Sequence, residues 1–414
     1  MLRAGQAIFL CVVALLMLGV VMVNSADMAV RSASASEPIA TPPGVVDVLA
    51  SRSTVYAVLA IAAMLAASLL PIRTIATWAE HAGVTDRASQ GLPPHPHRGL
   101  WGLAIGCALL VAFCALVYVP GLEREVNGSR RWVNIPGVGE ALSFQPSEVA
   151  KWSLILIVAW YCARRADLLH KFWLGLAPAL AGAGLVAGFI VVEDLGTGAL
   201  IALVAGLVLL AGGANWKHFL ALAPFPIAGL VGAIATSDYR SARITAFLHP
   251  FDQPEGIGYH TVQSLVAIAN GHGVGRGLGF GIQKLGYLPE DRTDFVFAVI
   301  CEELGIPGAA VVVVAYALLL WCGYAVLRNE KHALLRLVTL GVIATVGTQA
   351  IINLAVVTAM APTKGIALPL ISAGGTGWLL TAFSLGLVVA IDRTQDREVA
   401  TRDVIEANAG AVAG

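Results

Sequence analysis

The chain has 414 residues, of which 57% are hydrophobic and 13% charged, and its 26 basic side chains balance 26 acidic ones to a formal net charge of zero. That composition excludes an ordinary soluble globular domain, and the lack of any basic excess argues against a general nucleic-acid-binding surface. What remains is an all-α polytopic membrane protein, read as a single membrane-embedded unit over residues 1–414.

A transmembrane helix needs roughly 20 apolar residues, and about ten stretches approach that requirement. They lie near 5–24, 54–72, 98–120, 146–163, 173–193, 195–213, 218–236, 296–327, 334–358 and 372–391. Only Arg3 carries charge ahead of the first, and no small-residue cleavage pattern follows it, so it is expected to be a retained helix. Residues 25–53 read as a flexible outer loop rich in Ser, Ala and Pro, and 73–97 as a cytoplasmic linker. Within that linker His95 and His97 are read as solvated linker residues rather than metal ligands. Residues 237–295 form a large outer loop between helices 7 and 8, and 392–414 a cytoplasmic tail. The six cysteines all fall inside predicted spans and show no disulfide or zinc spacing.

Short-loop basic residues set the orientation. Arg73, Arg87 and Arg98, then Arg164, Arg165 and Lys171, then Arg328, Lys331 and Arg336 mark the cytoplasmic loops, which places both termini in the cytoplasm. The exceptions carry information. Arg130, Arg131, Arg240, Arg243, Arg276, Lys284, Arg292 and Lys364 lie in loops that the bias would have emptied. Cations kept there point to an anionic ligand such as a phosphate or pyrophosphate.

Several local patterns follow in chain order. Asn127-Gly128 is a turn signal ahead of Arg130 and Arg131. Pro146, Ser147 and Glu148 read as a helix start, and Lys151, three residues on, shares a face with Glu148, so a structural ion pair is favoured there over direct chemistry. Asp194 is placed to cap the next helix. Glycines at 271, 273, 275, 277, 279 and 281 alternate too regularly for a helix and leave backbone N–H groups to face a ligand. After Pro289, Asp294, Glu302 and Glu303 are carried into an apolar segment, where carboxylates are costly unless paired or functional. Gln349 and Asn353 are four residues apart, which reads as interhelical contact. Lys364 sits in a Pro- and Gly-rich, non-helical entrance to the last span.

Four blocks together resemble the SEDS (shape, elongation, division and sporulation) family. They are Asn127 through Lys151; Asp194-Leu195-Gly196-Thr197; Gly275 through Gly305, with Leu288-Pro289-Glu290, Thr293-Asp294-Phe295 and Glu302-Glu303-Leu304-Gly305; and Pro362 through Gly375. Thr363-Lys364-Gly365 is similar to the division-type, FtsW-like branch rather than the elongation-type, RodA-like one. Ala373 stands where the family has Tyr, and Thr376-Gly377 where it has serines, which affects the packing expected at that helix entrance.

The resemblance implies a peptidoglycan glycosyltransferase that polymerises lipid II at the outer face of the cytoplasmic membrane, working with a class B penicillin-binding transpeptidase and other division proteins. A donor already activated by a pyrophosphate leaving group needs a base for the attacking hydroxyl and positive charge for the departing diphosphate. Asp294, which matches the family's catalytic Asp, is the base, with burial raising its pKa and Arg292 lowering it. Glu290 and Asp291 are expected to be weaker bases because water holds their pKa values low. Arg131, Lys364, Arg276 and Lys284 are the diphosphate candidates, with Glu290 also at the substrate. Glu148, Lys151, Asp194 and Glu302 are supporting residues. No resident cofactor is implied, although a divalent cation, Mg2+ or Mn2+, bridging the diphosphate is compatible with this chemistry. The alternative is a lipid II flippase using the same basic outer cavity without glycosyl transfer. The one-sided polar clusters and the absence of an evident inverted repeat favour the enzyme.

Overall fold

The computed structural model describes residues 3–34, 48–81, 99–126, 129–134 and 143–413. In chain order the helices are α1 (Ala4–Ser34), α2 (Arg52–Leu69), α3 (Ile72–His81), α4 (Leu100–Cys114), α5 (Pro146–Arg164), α6 (Ala177–Glu193) and α7 (Leu195–Ala211). They continue as α8 (Trp216–Leu222), α9 (Pro224–Ala235), α10 (Asp238–Leu248), α11 (Tyr259–Asn270), α12 (Val296–Asn329), α13 (Ala333–Val357) and α14 (Thr376–Ala413).

Seven of the described helical segments are long and apolar enough to cross a membrane. The other three expected spans deviate for local reasons. α5 has the length but carries Glu148, Lys151 and Arg164, and α7 is shorter at 17 residues. The span expected over 218–236 is broken between α8 and α9, where Pro224 lacks the N–H that would continue the helix.

The helical fold carries one small sheet besides its helices. Three short antiparallel strands, β1 (Glu123–Val126), β2 (Ser129–Asn134) and β3 (Ser143–Phe144), form a sheet in the order β1-β2-β3 ahead of α5. The strands β1 and β2 flank the Asn127-Gly128 turn signal, which itself lies outside the described residues. Phe113, near the end of α4, stacks on Phe144 with ring centroids 5.7 Å apart, and so pins the sheet to the helical body.

The expected loops are also more ordered than their composition indicates. α1 extends through Ser34 and α2 begins at Arg52, which trims the loop read over 25–53, and residues 35–47 lie outside the described set. α3 occupies the start of the linker read over 73–97; His95 and His97 lie outside the described residues. The outer loop over 237–295 contains α10 and α11, and α14 continues through the segment read as a tail.

Two features bring polar backbone into the helical body. In α12, Gly305 has φ 65° and ψ −155°, interrupting the helix just before Pro307. A Cβ at Gly305 would lie 2.4 Å from the Gly275 nitrogen, so only glycine allows the chain to cross there. The second feature is the segment from Ala361 to Gly375, which folds inward beside α1: a Cβ on Gly19 would lie 2.8 Å from the carbonyl oxygens of Leu370 and Ile371. The Tyr316 hydroxyl donates to the Pro369 carbonyl, and the Trp378 indole N–H to the Ser372 carbonyl at 2.6 Å. Residue 373 acts through its backbone, its N–H donating to the Arg292 carbonyl at 2.8 Å. Alanine therefore keeps the contact that orders this turn.

Candidate active site

Asp294 lies in the turn before α12, and three elements converge on it. The first is the β2–α7 corner. Arg130 pairs with Glu123 at 3.6 Å and its backbone N–H donates to Glu193 at 3.1 Å, while the Tyr118 hydroxyl donates to the same carboxylate at 2.8 Å. These contacts hold β2 over the end of α6 and bring Arg131 within 3.6 Å of Asp194. Asp194 caps α7 as expected, accepting from the Thr197 N–H at 3.0 Å and the Thr197 hydroxyl at 2.9 Å. A shallow, open cleft lies beside this corner, lined in part by Arg131, Ser147, Phe189 and Asp194.

The second element is the Lys364 loop. A Cβ on Gly365 would lie 2.8 Å from Asp294 Oδ2, so the backbone next to Lys364 lies directly against the carboxylate. Arg243 of α10 donates to the Thr363 carbonyl at 3.1 Å and holds the loop from outside. The third element is α13. Asn353 donates to the Asp294 carbonyl at 2.7 Å and to the Ile366 carbonyl at 2.8 Å, clamping the Asp294 turn to the Lys364 loop.

The electrostatics suit a base. Burial, reinforced by Glu290 and Asp194, pushes the Asp294 carboxyl up to about 7 against the opposing pull of Arg131 and Arg243. Arg292, expected to act on Asp294, is instead ion-paired with Asp27 and lies 3.9 Å from Asp291. Asp291 also differs from expectation: burial pushes it up to about 6 despite the opposing pull of Arg292. Glu290 is exposed, with φ 56°, and accepts from the Thr293 hydroxyl at 2.8 Å.

Two expectations fail for a common reason. The amides of the glycine segment do not wait for an external ligand. Gly279 and Gly281 donate to Glu303 at 3.0 and 3.3 Å, and Ile282 and Gln283 donate to Glu302 at 3.0 and 3.1 Å. Lys284, read as a diphosphate ligand, is buried and donates to Glu303 at 2.6 Å and to Ser25 of α1 at 2.7 Å. A cation committed to an internal carboxylate in a buried site is not available to a substrate. Glu302 is buried and accepts from the Ile282 and Gln283 amides. Arg276 is exposed on the outer side of the same segment. Arg243 and His260 are further neighbours of the site. His260 stacks on Phe295 with ring centroids 5.9 Å apart, and burial and then Arg243 lower its pKa. Arg243 was legible only as one of several outer basic residues, and His260 only as one position on a short helix.

The Glu148–Lys151 pair forms as expected. Lys151 Nζ donates to both Glu148 oxygens at 2.9 and 2.8 Å and to Gln349 at 3.2 Å. Gln349 lies about one helical turn from Asn353, so the pair sits roughly 6 Å along α13 from the clamp on Asp294. Lys151→Met alone is expected to strand the Glu148 charge and destabilise by about 3–5 kcal/mol, whereas Lys151→Met with Glu148→Leu recovers most of that loss. Thermal melting of the purified single and double variants in detergent checks this, and additive losses would show that the two residues act independently.

Among the described residues, no group of three or more His, Cys, Asp or Glu side chains is arranged to hold a metal ion. No step is assigned to a metal ion.

Residues 97–397 match the FtsW/RodA/SpoVE family model, described as cell cycle protein. A probable peptidoglycan glycosyltransferase FtsW of Halomonas elongata is 41% identical over 298 residues, covering 70% of this chain and 72% of that one. A probable peptidoglycan glycosyltransferase FtsW of Geobacter metallireducens is 32% identical over 390 residues, 94% of each chain. Stage V sporulation protein E of Bacillus subtilis is 35% identical over 301 residues, 71% of this chain and 80% of that one. Among solved structures, one described under "Structural coordination of polymerization and crosslinking by a peptidoglycan synthase complex" superposes with a TM-score of 0.66 at 25% identity, covering 94% of this chain and 97% of that one. The rod shape determining protein RodA of Thermus thermophilus shares the fold, with a TM-score of 0.56 at 24% identity and coverage of 94% and 96%. A family model spanning most of the chain, and relatives this similar along nearly its whole length, make it a multi-pass membrane protein that belongs to the FtsW/RodA/SpoVE family of cell cycle proteins.

Proposed function

We propose that this chain is a peptidoglycan glycosyltransferase that polymerises lipid II into β-1,4 glycan at the outer face of the cytoplasmic membrane during division, with both termini cytoplasmic. The observation that carries the reading is Asp294, a carboxylate lifted to about 7 by burial and flanked by arginines and the Lys364 loop. Such a group accepts a proton near neutral pH while cations beside it take up charge developing on a diphosphate. In the step assigned to it, the acceptor hydroxyl oxygen attacks the anomeric carbon of an α-linked donor and Asp294 removes the hydroxyl proton. The bond from the anomeric carbon to the diphosphate oxygen breaks with its electron pair leaving on undecaprenyl pyrophosphate, so one displacement inverts the centre. Arg131 and Lys364 are the assigned diphosphate contacts, with Arg243 added by its contact with the Lys364 loop.

The relatives' names and the synthase-complex neighbour support a division role and assembly with a class B transpeptidase. Reconstitution of the purified chain and its transpeptidase partner with lipid II tests the reading. Glycan strands are expected, and lipid movement without strands would replace the enzyme with a flippase.

The pH dependence has a definite sign. The base works deprotonated, so kcat is expected to rise with pH through about 7 and then level off. Glu290 raises the Asp294 pKa, so Glu290→Gln is expected to move that acidic limb to lower pH. A limb that stayed in place or moved upward would remove Asp294 as its source.

A further inference from the structure

The glycine segment that precedes Asp294 has two unlike sides. On its inner side, apart from Leu278, every backbone N–H from Gly275 to Gln283 donates within the protein. Gly275 and Phe280 donate to carbonyls of the segment itself, and Arg276 and Gly277 to the carbonyls of Glu302 and Glu303, each at 2.9 Å. The remainder donate to the carboxylates of those two residues. Internal acceptors of this kind lower the cost of bringing irregular backbone near lipid, because the hydrocarbon region offers no water to unpaired amides.

The outer side is apolar. Val274 is 82% exposed and Phe280 73%, and Leu278, Leu285 and Tyr287 are also exposed. This surface is continuous with that of a membrane span. Ile306 of α12 donates its N–H to the Gly273 carbonyl at 2.9 Å and is itself 69% exposed, followed along the same helix by exposed Val311, Val313 and Val314. At a rise of 1.5 Å per residue, Glu302 to Ile306 lie roughly 9 to 15 Å along α12 from its start, so the segment is carried down beside the span instead of standing above it.

We propose that residues 273–287 form a non-helical element seated in the outer leaflet of the bilayer, with Phe280, Leu278 and Val274 among the upper acyl chains and the exposed Arg276 available to lipid phosphates. Its occupant is lipid, because the patch extends the lipid-facing row of α12 and most of the backbone N–H groups from Gly275 to Gln283 already have acceptors within the protein. The two glutamates supply those acceptors from within α12, which accounts for carboxylates at that depth. The element leads through Pro289 directly into the Asp294 turn, so its seating would set the height of that turn relative to lipid headgroups. This inference rests on the membrane fold and not on the catalytic assignment.

The native cysteines are all buried, so single exposed cysteines can be labelled with an environment-sensitive fluorophore in the full-length chain reconstituted into liposomes. Phe280→Cys and Val274→Cys are the test sites, and Asp252→Cys, in the exposed turn between α10 and α11, is the aqueous control. Labels at 280 and 274 are expected to show blue-shifted emission, strong quenching by lipids carrying a nitroxide near the headgroup, and little quenching by aqueous iodide. The label at 252 is expected to show the reverse. Two results would overturn the proposal. One is iodide quenching at 280 and 274 equal to that at 252. The other is lipid quenching at those sites no stronger than at 252, with shielding that appears only when the transpeptidase is added, which would mark a protein-binding surface. Because the readout is depth and not turnover, failure here is distinguishable from failure of the glycosyltransferase reading.

Discussion

Asp294→Asn is expected to abolish glycan polymerisation while leaving expression, partner association and lipid II binding near wild-type. The substitution keeps side-chain volume, and the Asn353 bond is made to the backbone carbonyl of residue 294, not to its carboxylate, so the clamp on the Lys364 loop survives. What is lost is the capacity to accept a proton, and loss of a general base costs about 10²- to 10⁴-fold in turnover. The rival carboxylates are less well placed. Asp291 is pushed up to about 6, but it lies beside Arg292. Glu290 is exposed, and its carboxylate is engaged by the Thr293 hydroxyl. Turnover by the purified Asn variant with its partner, compared with wild type on the same lipid II preparation, decides the matter. Polymerisation at the wild-type rate would move the assignment to Glu290, since Glu302 is buried against backbone amides and Asp291 faces an arginine.

Glu303→Ala should have the largest effect on stability. Its carboxylate accepts from Lys284, Ser25, Gly279 and Gly281, all within 3.3 Å, and the lysine and glutamate are both buried. Removing it strands a buried ammonium and leaves two backbone N–H groups without their acceptor. Breaking a buried pair from one side costs about 3–5 kcal/mol, a large share of the stability of an ordinary domain. Glu303→Ala is therefore expected to lower the melting temperature sharply, and adding Lys284→Met should recover the part due to the stranded charge but not the part due to the amides. An unchanged melting temperature for Glu303→Ala would mean that the glycine segment is held by its apolar contacts alone. Lys284→Met by itself also separates the roles assigned to that lysine: a substrate ligand would weaken lipid II binding in a fully folded protein, whereas the observed pairing predicts that the loss falls on stability.

Hydropathy along the chain was sufficient to determine a multi-pass helical membrane protein, because the bilayer demands long apolar runs and leaves the backbone little alternative to helix. Local spacing determined what depends on neighbours in sequence, namely the Glu148–Lys151 pair and the Asp194 cap, since both close within a single helical turn. Motif order pointed to the family and to Asp294. The rest required tertiary structure, because it depends on residues distant in sequence meeting. Lys284 reads as a free outer cation until Glu303 and Ser25 are seen around it, 19 and 259 positions away. The glycine amides read as a ligand cradle until α12 supplies two carboxylates to fill it. Arg243 reads only as one outer cation among several, Asn353 only as an interhelical contact, and His260 carries no local sign at all. Only the packing of α10, α11 and α13 around one turn brings them to Asp294, and the charge that turn experiences is set by the same packing.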